Sequence, residues 1–372
     1  MTLANRKNST FFQEAKAGLI LLLKQIILAA VGIMVIVLTN GKLPAVMVGL
    51  SFCLVAFFLA ISEQKRLLQK PELTSQTNNL SAASLNDADL SNAEINKLSV
   101  HQDLLQKVVY QGSEEQLSKA HFLLANLSNA NLNNINLDDV YFSGTDLSNA
   151  QLINASFLNG NFSGANLSNA NLSNANLSNA NLSSAQLISA NLSSANLSSA
   201  QLISANLSDA NLSDANFSNA NLTDANLSNV YLWNSNFNNA QLVGANFSSA
   251  YMNSVKLKNA NLSSANLMDA KLSDAKLKDA NLSNADLTGA DLSSANLKNT
   301  NFSDANLKDA ILCGANLEDA NLNNADLRNA DLSNANLKNV KVEKTRFGWN
   351  QGFSEEIKLE LELMGAIFEG NG

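Results

Sequence analysis

From His121 onward, one apolar residue in every five dominates the pattern of the chain. Leu or Phe stands at Phe122, Leu127, Leu132, Leu137 and so on to Phe347, 46 consecutive units in which only Met252 and Val342 depart from those two types. Two residues before each is a small residue, usually alanine, as at Ala120, Ala125, Ala130, Ala165 and Ala170. The other positions are Asn, Ser, Asp and Lys, as in Ala165-Asn166-Leu167-Ser168-Asn169. This period fits neither regular element. On an α-helix, five residues turn through about 500°, so the leucines would spiral and form no stripe. A strand repeats every two residues and five is odd, so successive leucines would alternate faces. The pattern therefore predicts a composite unit. Ala and Leu, two apart, point inward from a short strand, and the remaining three residues turn a corner. Repetition winds a solenoid with Ala and Leu inside and Asn and Ser outside, alanine marking where the interior is narrow. A disordered Asn/Ser-rich tract has no use for an apolar residue held in one register over so long a stretch.

These units resemble the pentapeptide-repeat family, whose pattern is commonly written Ala-(Asp/Asn)-Leu-x-x, and they cover nearly two-thirds of the chain. The resemblance implies an all-β solenoid, a right-handed quadrilateral β-helix with four units, or 20 residues, per coil. At a strand spacing of about 4.8 Å, some 11 coils would make a rod roughly 55 Å long. Four-fold winding stacks residues 20 apart: Phe122, Phe142 and Phe162 form one internal column, and Phe217 lies beneath Phe237. One similarity runs out of step, since Gln186-Leu187-Ile188 recurs 15 residues later as Gln201-Leu202-Ile203.

The first sixty residues are a different material. Leu43 to Ile61 is 19 residues without a charge, long enough to cross a hydrocarbon core as a helix. Ile26 to Leu38 is also apolar, and Ala17 to Leu23 extends it upstream through Lys24, a lysine that can snorkel or pair with the neighbouring helix. Thr39-Asn40-Gly41-Lys42 reads as a turn, so two helices at 17–38 and 43–61 form a transmembrane hairpin within an anchor spanning 1–70. The second long apolar run argues against a secretory signal with Arg6, Lys7 and Lys16 as its basic region. Those three cations precede the hairpin, Lys65, Arg66 and Lys70 follow it, and only Lys42 sits in the turn. The positive-inside rule then places both ends, and the repeat domain, on the cytoplasmic side of what would be a bacterial inner membrane.

Residues 71–79 read as a polar linker. Residues 80–121 hold a first block of units (Leu80, Leu85, Leu90, Ile95) and then an insertion with Leu104, Leu105, Val108 and Val109 at helical spacing. Ser113 and Gln116 fit a capping box, and the insertion is expected to close the N-terminal end of the rod at 122–347. An open coil exposes its core and unpaired backbone, so the other end also needs a cover. Within 348–372, Ser354 fits the N-cap of a capping helix running to Met364, with Glu355 and Glu356 at the favourable end of its dipole. Ile357, Leu359, Leu361 and Leu363 supply apolar groups there, and Gly365 can end it.

Composition limits the chemistry. There are 2 Cys, Cys53 and Cys313, and 2 His, His101 and His121, too few for a disulfide framework, a four-cysteine zinc site or a Ser-His-Asp constellation. No glycine-rich phosphate loop is present. No catalytic, cofactor or metal site is expected, and the chain reads as a protein other than an enzyme. The net charge of −8 disfavours direct nucleic-acid binding.

Charge is unevenly placed along the repeats. Between Ala120 and Val255 stand six acids (Asp138, Asp139, Asp146, Asp209, Asp214, Asp224) and no Lys or Arg. The family resemblance offers mimicry of B-form DNA toward a topoisomerase as one alternative function. Seven coils, however, span roughly 33 Å, where a duplex presents about 19 negative charges. Resemblance to membrane-anchored members in photosynthetic prokaryotes offers a role in envelope or glycolipid assembly as another. Stacking by 20 puts Lys258, Lys278, Lys298 and Lys338 in one outward column, interrupted by Glu318. It puts Tyr231 and Tyr251 in a second, above Lys271, with Trp233 close by. The lysines could meet an anionic partner such as the inner leaflet, and the aromatics could anchor a protein contact. Lysines also keep a β surface soluble, and Asp279 and Asp319 flank the column. The expected function is a membrane-anchored, non-catalytic scaffold or interaction module, held to the bilayer by its hairpin and binding a protein partner.

Overall fold

The computed structural model describes Phe122 and residues 125–370. The hairpin helices at 17–38 and 43–61, the linker at 71–79, the first block and insertion at 80–121, His101 and His121 lie outside the described residues. Among the described residues, no helix is long and apolar enough to cross a membrane.

Every five residues the chain makes one bridge and one corner. In the unit around Leu127, Asn126 forms a parallel bridge to Asp146, 20 residues on, and Ser128 and Asn129 turn the corner. The next three corners fall at 133–134, 138–139 and 143–144, so four sides close one coil. The same parallel register of 20 runs from Asn126↔Asp146 through to Asp331↔Gln351. Most corners are closed by a short backbone bond, such as Ala130 N–H to the Leu127 carbonyl at 3.0 Å. Its second residue has positive φ, 60° at Asn129, as in a type II turn. That requirement explains why Asn, Asp, Ser or Gly occupies this position in nearly every unit: they tolerate the left-handed region better than branched residues do.

The backbone donors of a unit can be followed one by one. Leu127 N–H bonds the Asp146 carbonyl at 2.7 Å, Asn129 N–H bonds Ser148 at 2.8 Å, and Asp146 N–H returns to Ala125 at 2.9 Å. The donor left over is the first corner residue, and Ser128 N–H goes to the Asn126 side-chain Oδ1 at 3.0 Å. The Asn before each Leu is therefore an acceptor for the corner as well as an outward polar group. Where that position is not Asn or Asp, a side chain one coil away can substitute. Ile153, Leu158, Lys258 and Glu343 follow Gln151, Ser156, Lys256 and Lys341, and their N–H groups bond Asn133, Asp138, Asn238 and Asn323 at 2.8–2.9 Å. The outward amides also pair along the columns, as in Asn196 to Asn176, Asn216 to Asn196 and Asn236 to Asn216 at 3.3, 3.1 and 3.0 Å.

Inside, the Ala and Leu positions are almost wholly buried and form one continuous apolar core. Phe122, Phe142 and Phe162 stack in one column with centroids 5.0 and 5.1 Å apart, and Phe217 lies on Phe237 at 4.6 Å. Phe157 enters the same space from the next side, edge-on to Phe162 at 5.2 Å. Gly160 stands between them where the column otherwise carries small side chains. A Cβ there would lie 2.9 Å from the Phe162 ring. Four buried hydroxyls, Thr145, Ser235, Thr300 and Thr345, replace alanine and donate to the carbonyls of Phe122, Leu212, Leu277 and Leu322 at 2.6–2.9 Å.

At the C-terminal end, strand β1 (Arg346–Phe347) pairs in parallel with β2 (Ile367–Phe368), which adds a partial further rung. Between them runs helix α1 (Glu355–Leu363), with Ser354 as N-cap accepting the Ile357 N–H at 3.2 Å and Met364 as C-cap. Only Leu361 of the helix is buried, while Leu359 and Leu363 are exposed. The four apolar residues alternate with period two, and a helix of 3.6 residues per turn cannot turn all of them to one side. The cover is completed instead by Phe353 and Phe368, whose rings lie 5.3 and 5.1 Å from Phe347.

Candidate interaction surface

The outward residues predicted to stack do so. Tyr231 and Tyr251 bridge directly, and their rings lie parallel with centroids 5.0 Å apart. They are 52% and 48% exposed, and Trp233, at the next corner, is 59% exposed. Tyr251 in turn bridges Lys271. The aromatics form a ridge beside a corner, because each tyrosine ring turns its face along the column to its neighbour and its edge outward.

The lysine column divides in two. In its lower part, Glu318 bonds Lys298 at 3.0 Å and Lys338 at 3.6 Å, and Asp319 lies 3.5 Å from Lys298. The hydrogen bond from Lys298 holds the Glu318 carboxyl below its usual range, and the same contact raises the Lys298 ammonium. Asp319 is also lowered, chiefly by the Asn339 amide that donates to it at 3.1 Å. Lys298 and Lys338 are thus bound to acids. In the upper part, among the described residues, the one acid paired with Lys278 is Asp279, at 3.9 Å. Lys256 and Lys276, which bridge each other on the adjoining side, bring two more cations beside Lys258 and Lys278. Sequence stacking traced the lysines at the corner position alone. The same arithmetic applied to the position before each Leu would have found this pair.

A second charged cluster closes the C-terminal rung. Arg328 contacts Asp326 and also Glu369 at 3.1 Å, and Arg346 bonds Glu369 at 2.8 Å. Glu369 is held below its usual range, first by the hydrogen bond from Arg346. Burial opposes ionisation of Asp326, but the Arg328 hydrogen bonds and charge outweigh it and lower that carboxyl too. Among the described residues, no group of three or more His, Cys, Asp or Glu is placed to hold a metal ion. Cys313 is a partly exposed free thiol.

The family model described as Pentapeptide repeats matches in eight copies, across residues 117–159, 161–198, 195–234, 225–263, 265–304 and 300–339. This chain belongs to the pentapeptide repeat family. Its coils are accordingly those of a right-handed quadrilateral β-helix. Among solved structures, HetL of the cyanobacterium Nostoc sp. strain PCC 7120, a pentapeptide repeat protein involved in heterocyst differentiation regulation, is 30% identical. The match covers 61% of this chain and 91% of HetL, with a TM-score of 0.26. A trypsin-treated form of QnrB1, a plasmid-mediated fluoroquinolone resistance protein, is 16% identical over 50% of this chain and 90% of its own, with a TM-score of 0.24. A pentapeptide repeat protein of the Arabidopsis thaliana thylakoid lumen is 28% identical over 34% and 79%, with a TM-score of 0.19. No curated protein matches the chain.

Proposed function

We propose that this pentapeptide repeat protein is a non-catalytic scaffold, anchored in a membrane by an N-terminal hairpin and presenting its rod to a protein partner on the cytoplasmic side. The observation that carries the scaffold reading is the register of the outward side chains. Each side repeats every 20 residues without a break, so a partner meets long columns on a frame fixed by backbone bonds. The interior is apolar throughout, and its few hydroxyls are engaged by carbonyls, which leaves recognition to the outer faces. The anchoring reading is supported by the uncharged stretch from Leu43 to Ile61 and the cations on both flanks of the apolar region. Protein recognition is supported by Tyr231, Trp233 and Tyr251, large exposed rings of the kind that anchor interfaces.

The test is crosslinking and affinity recovery of the full chain from native membranes, beside a version lacking Met1 to Lys70. Membrane or envelope proteins recovered only with the full chain support the anchored scaffold. A topoisomerase or other DNA-acting enzyme recovered with both versions would overturn it in favour of duplex mimicry.

A further inference from the structure

Four lysines stand together on one side of the rod in two consecutive coils. Lys256 and Lys276 bridge each other at the centre of that side, and Lys258 and Lys278 stack at the corner that follows it. The described coils closer to the N-terminus carry no Lys or Arg, since Lys256 is the first after Ala120. The nearby acids are Asp279, 3.9 Å from Lys278, and Asp274 on the opposite corner. Among the described residues no ion pair forms to Lys256, Lys258 or Lys276, in contrast to the acid-bound Lys298 and Lys338. Like charges placed in register across a ladder destabilise it, so the fold itself gains nothing from this arrangement. An anionic surface would relieve the repulsion.

The surroundings specify which anionic surface. The corner opposite Lys258 carries Trp233 one coil above, and Tyr231 and Tyr251 flank that corner from the adjoining side. Amphipathic rings beside lysines suit the headgroup region of a bilayer, where the rings sit at the interface and the ammonium groups meet lipid phosphates. We propose that the side bearing Lys256 and Lys276, with its two corners, rests on an anionic bilayer surface. This rests on the anchored reading above, which would hold the face at a high effective concentration next to lipid.

The experiment places the full chain in vesicles of phosphatidylcholine alone or of an equimolar mixture with phosphatidylglycerol. The readout is quenching of Trp233 by a lipid spin-labelled near its headgroup, in a Trp349→Phe background that leaves Trp233 as the sole indole of the chain's two. Quenching is expected only with phosphatidylglycerol, weakened by salt and lost when Lys256, Lys258, Lys276 and Lys278 are all changed to Gln. Changing Lys308 and Lys341, on other sides, to Gln should leave it intact. Equal quenching in both lipids, or quenching that survives the fourfold change, overturns the proposal. A chain that fails to co-float with phosphatidylcholine vesicles overturns the anchored reading instead. The face is then tested by adding that chain to preformed phosphatidylglycerol vesicles, where an unquenched Trp233 overturns the proposal as well. Duplex DNA bound by the parent and lost in the fourfold variant, with Trp233 unquenched, would assign the lysines to a polynucleotide and overturn it too.

Discussion

Gly160→Ala should destabilise the rod, although the same change usually stabilises a residue with ordinary φ. Gly160 has no positive φ, so alanine is conformationally allowed there and would gain about 0.4–1 kcal/mol by restricting the unfolded chain. Ala180, Ala200 and Ala220 occupy the same column in the coils that follow, so the corner itself accepts a methyl group. What differs is the interior. Phe157 and Phe162 meet edge-on beside Gly160, and the added Cβ would lie 2.9 Å from a ring carbon of Phe162. Overpacking of this kind costs about 1–3 kcal/mol, which outweighs the chain-entropy gain and leaves a net loss of roughly 1–2 kcal/mol. In a Phe162→Leu background the ring edge is gone, and the same change should stabilise by about 0.5 kcal/mol. The coupling between the two sites is then about 2 kcal/mol. A solenoid of stacked repeats need not unfold in one step, so a local readout is required. Hydrogen exchange at the Phe162 and Ala165 amides, bonded to Asn181 and Phe162 at 2.7 and 2.9 Å, should quicken about tenfold in Gly160→Ala alone. Equal effects in both backgrounds would refute the steric argument.

Three further outcomes are expected. Ser199 sits at a corner with φ 58°, so Ser199→Val should cost about 1–2 kcal/mol while Ser199→Gly stays within about 0.5 kcal/mol, as read by denaturant unfolding of the two variants side by side. Thr300 shares its column with Val140 and Val340, so Thr300→Val should fit without a clash. It would lose the hydrogen bond to the Leu277 carbonyl, at about 1 kcal/mol, and a larger loss by the same measurement would mean that the methyl group does not fit. Asp326 and Glu369 have carboxyls depressed below the usual value of about 4, so their stabilisation is present above that value and is lost as pH falls through the lower folded-state values. Protease sensitivity near β2 should therefore rise in acid and become less pH-dependent in Glu369→Gln. An unchanged pH profile in that variant would remove the cluster from the account.

The repeat was legible because each inward position obeys one rule. A Leu every five residues and an Ala two before it leave a solenoid as the workable winding, while the coil length came from the family resemblance and agrees with the stacking of Phe217 on Phe237. The role of Asn before Leu was less legible. Its polarity reads as solvation, and only the backbone account shows its Oδ1 taking the one donor the coil leaves over. The two-residue strand β2 left no signal, since Ile367 and Phe368 gain their place by contact with Phe347 and not by any pattern of their own. On the surface, sequence stacking aligned Glu318 with the lysines, but long side chains decide their own pairings. The alignment alone could not tell an acid-bound Lys298 from an unpaired Lys258.

The outward positions also serve the coil, the residue before Leu by accepting the corner donor and the second corner residue by taking positive φ. An outward residue that breaks the column's habit is therefore more informative than one that keeps it. Asn at the position before Leu serves the corner, so each Asn there has a structural reason to stay. Tyr231, Tyr251, Lys256 and Lys276 occupy that same position and cannot accept the corner donor in its place. At Lys256 the fold repairs the loss through Asn238, which takes the Lys258 N–H at 2.9 Å. A lysine that needs a compensating residue one coil away, and stands opposite a second lysine, is not explained by folding. Other residues stand before the inward position elsewhere, Tyr141, Gln186, Ile311 and Lys341 among them, but here two stacked tyrosines adjoin two stacked lysines within three consecutive coils on two adjoining sides, and that juxtaposition is the reason to seek the rod's contact there first.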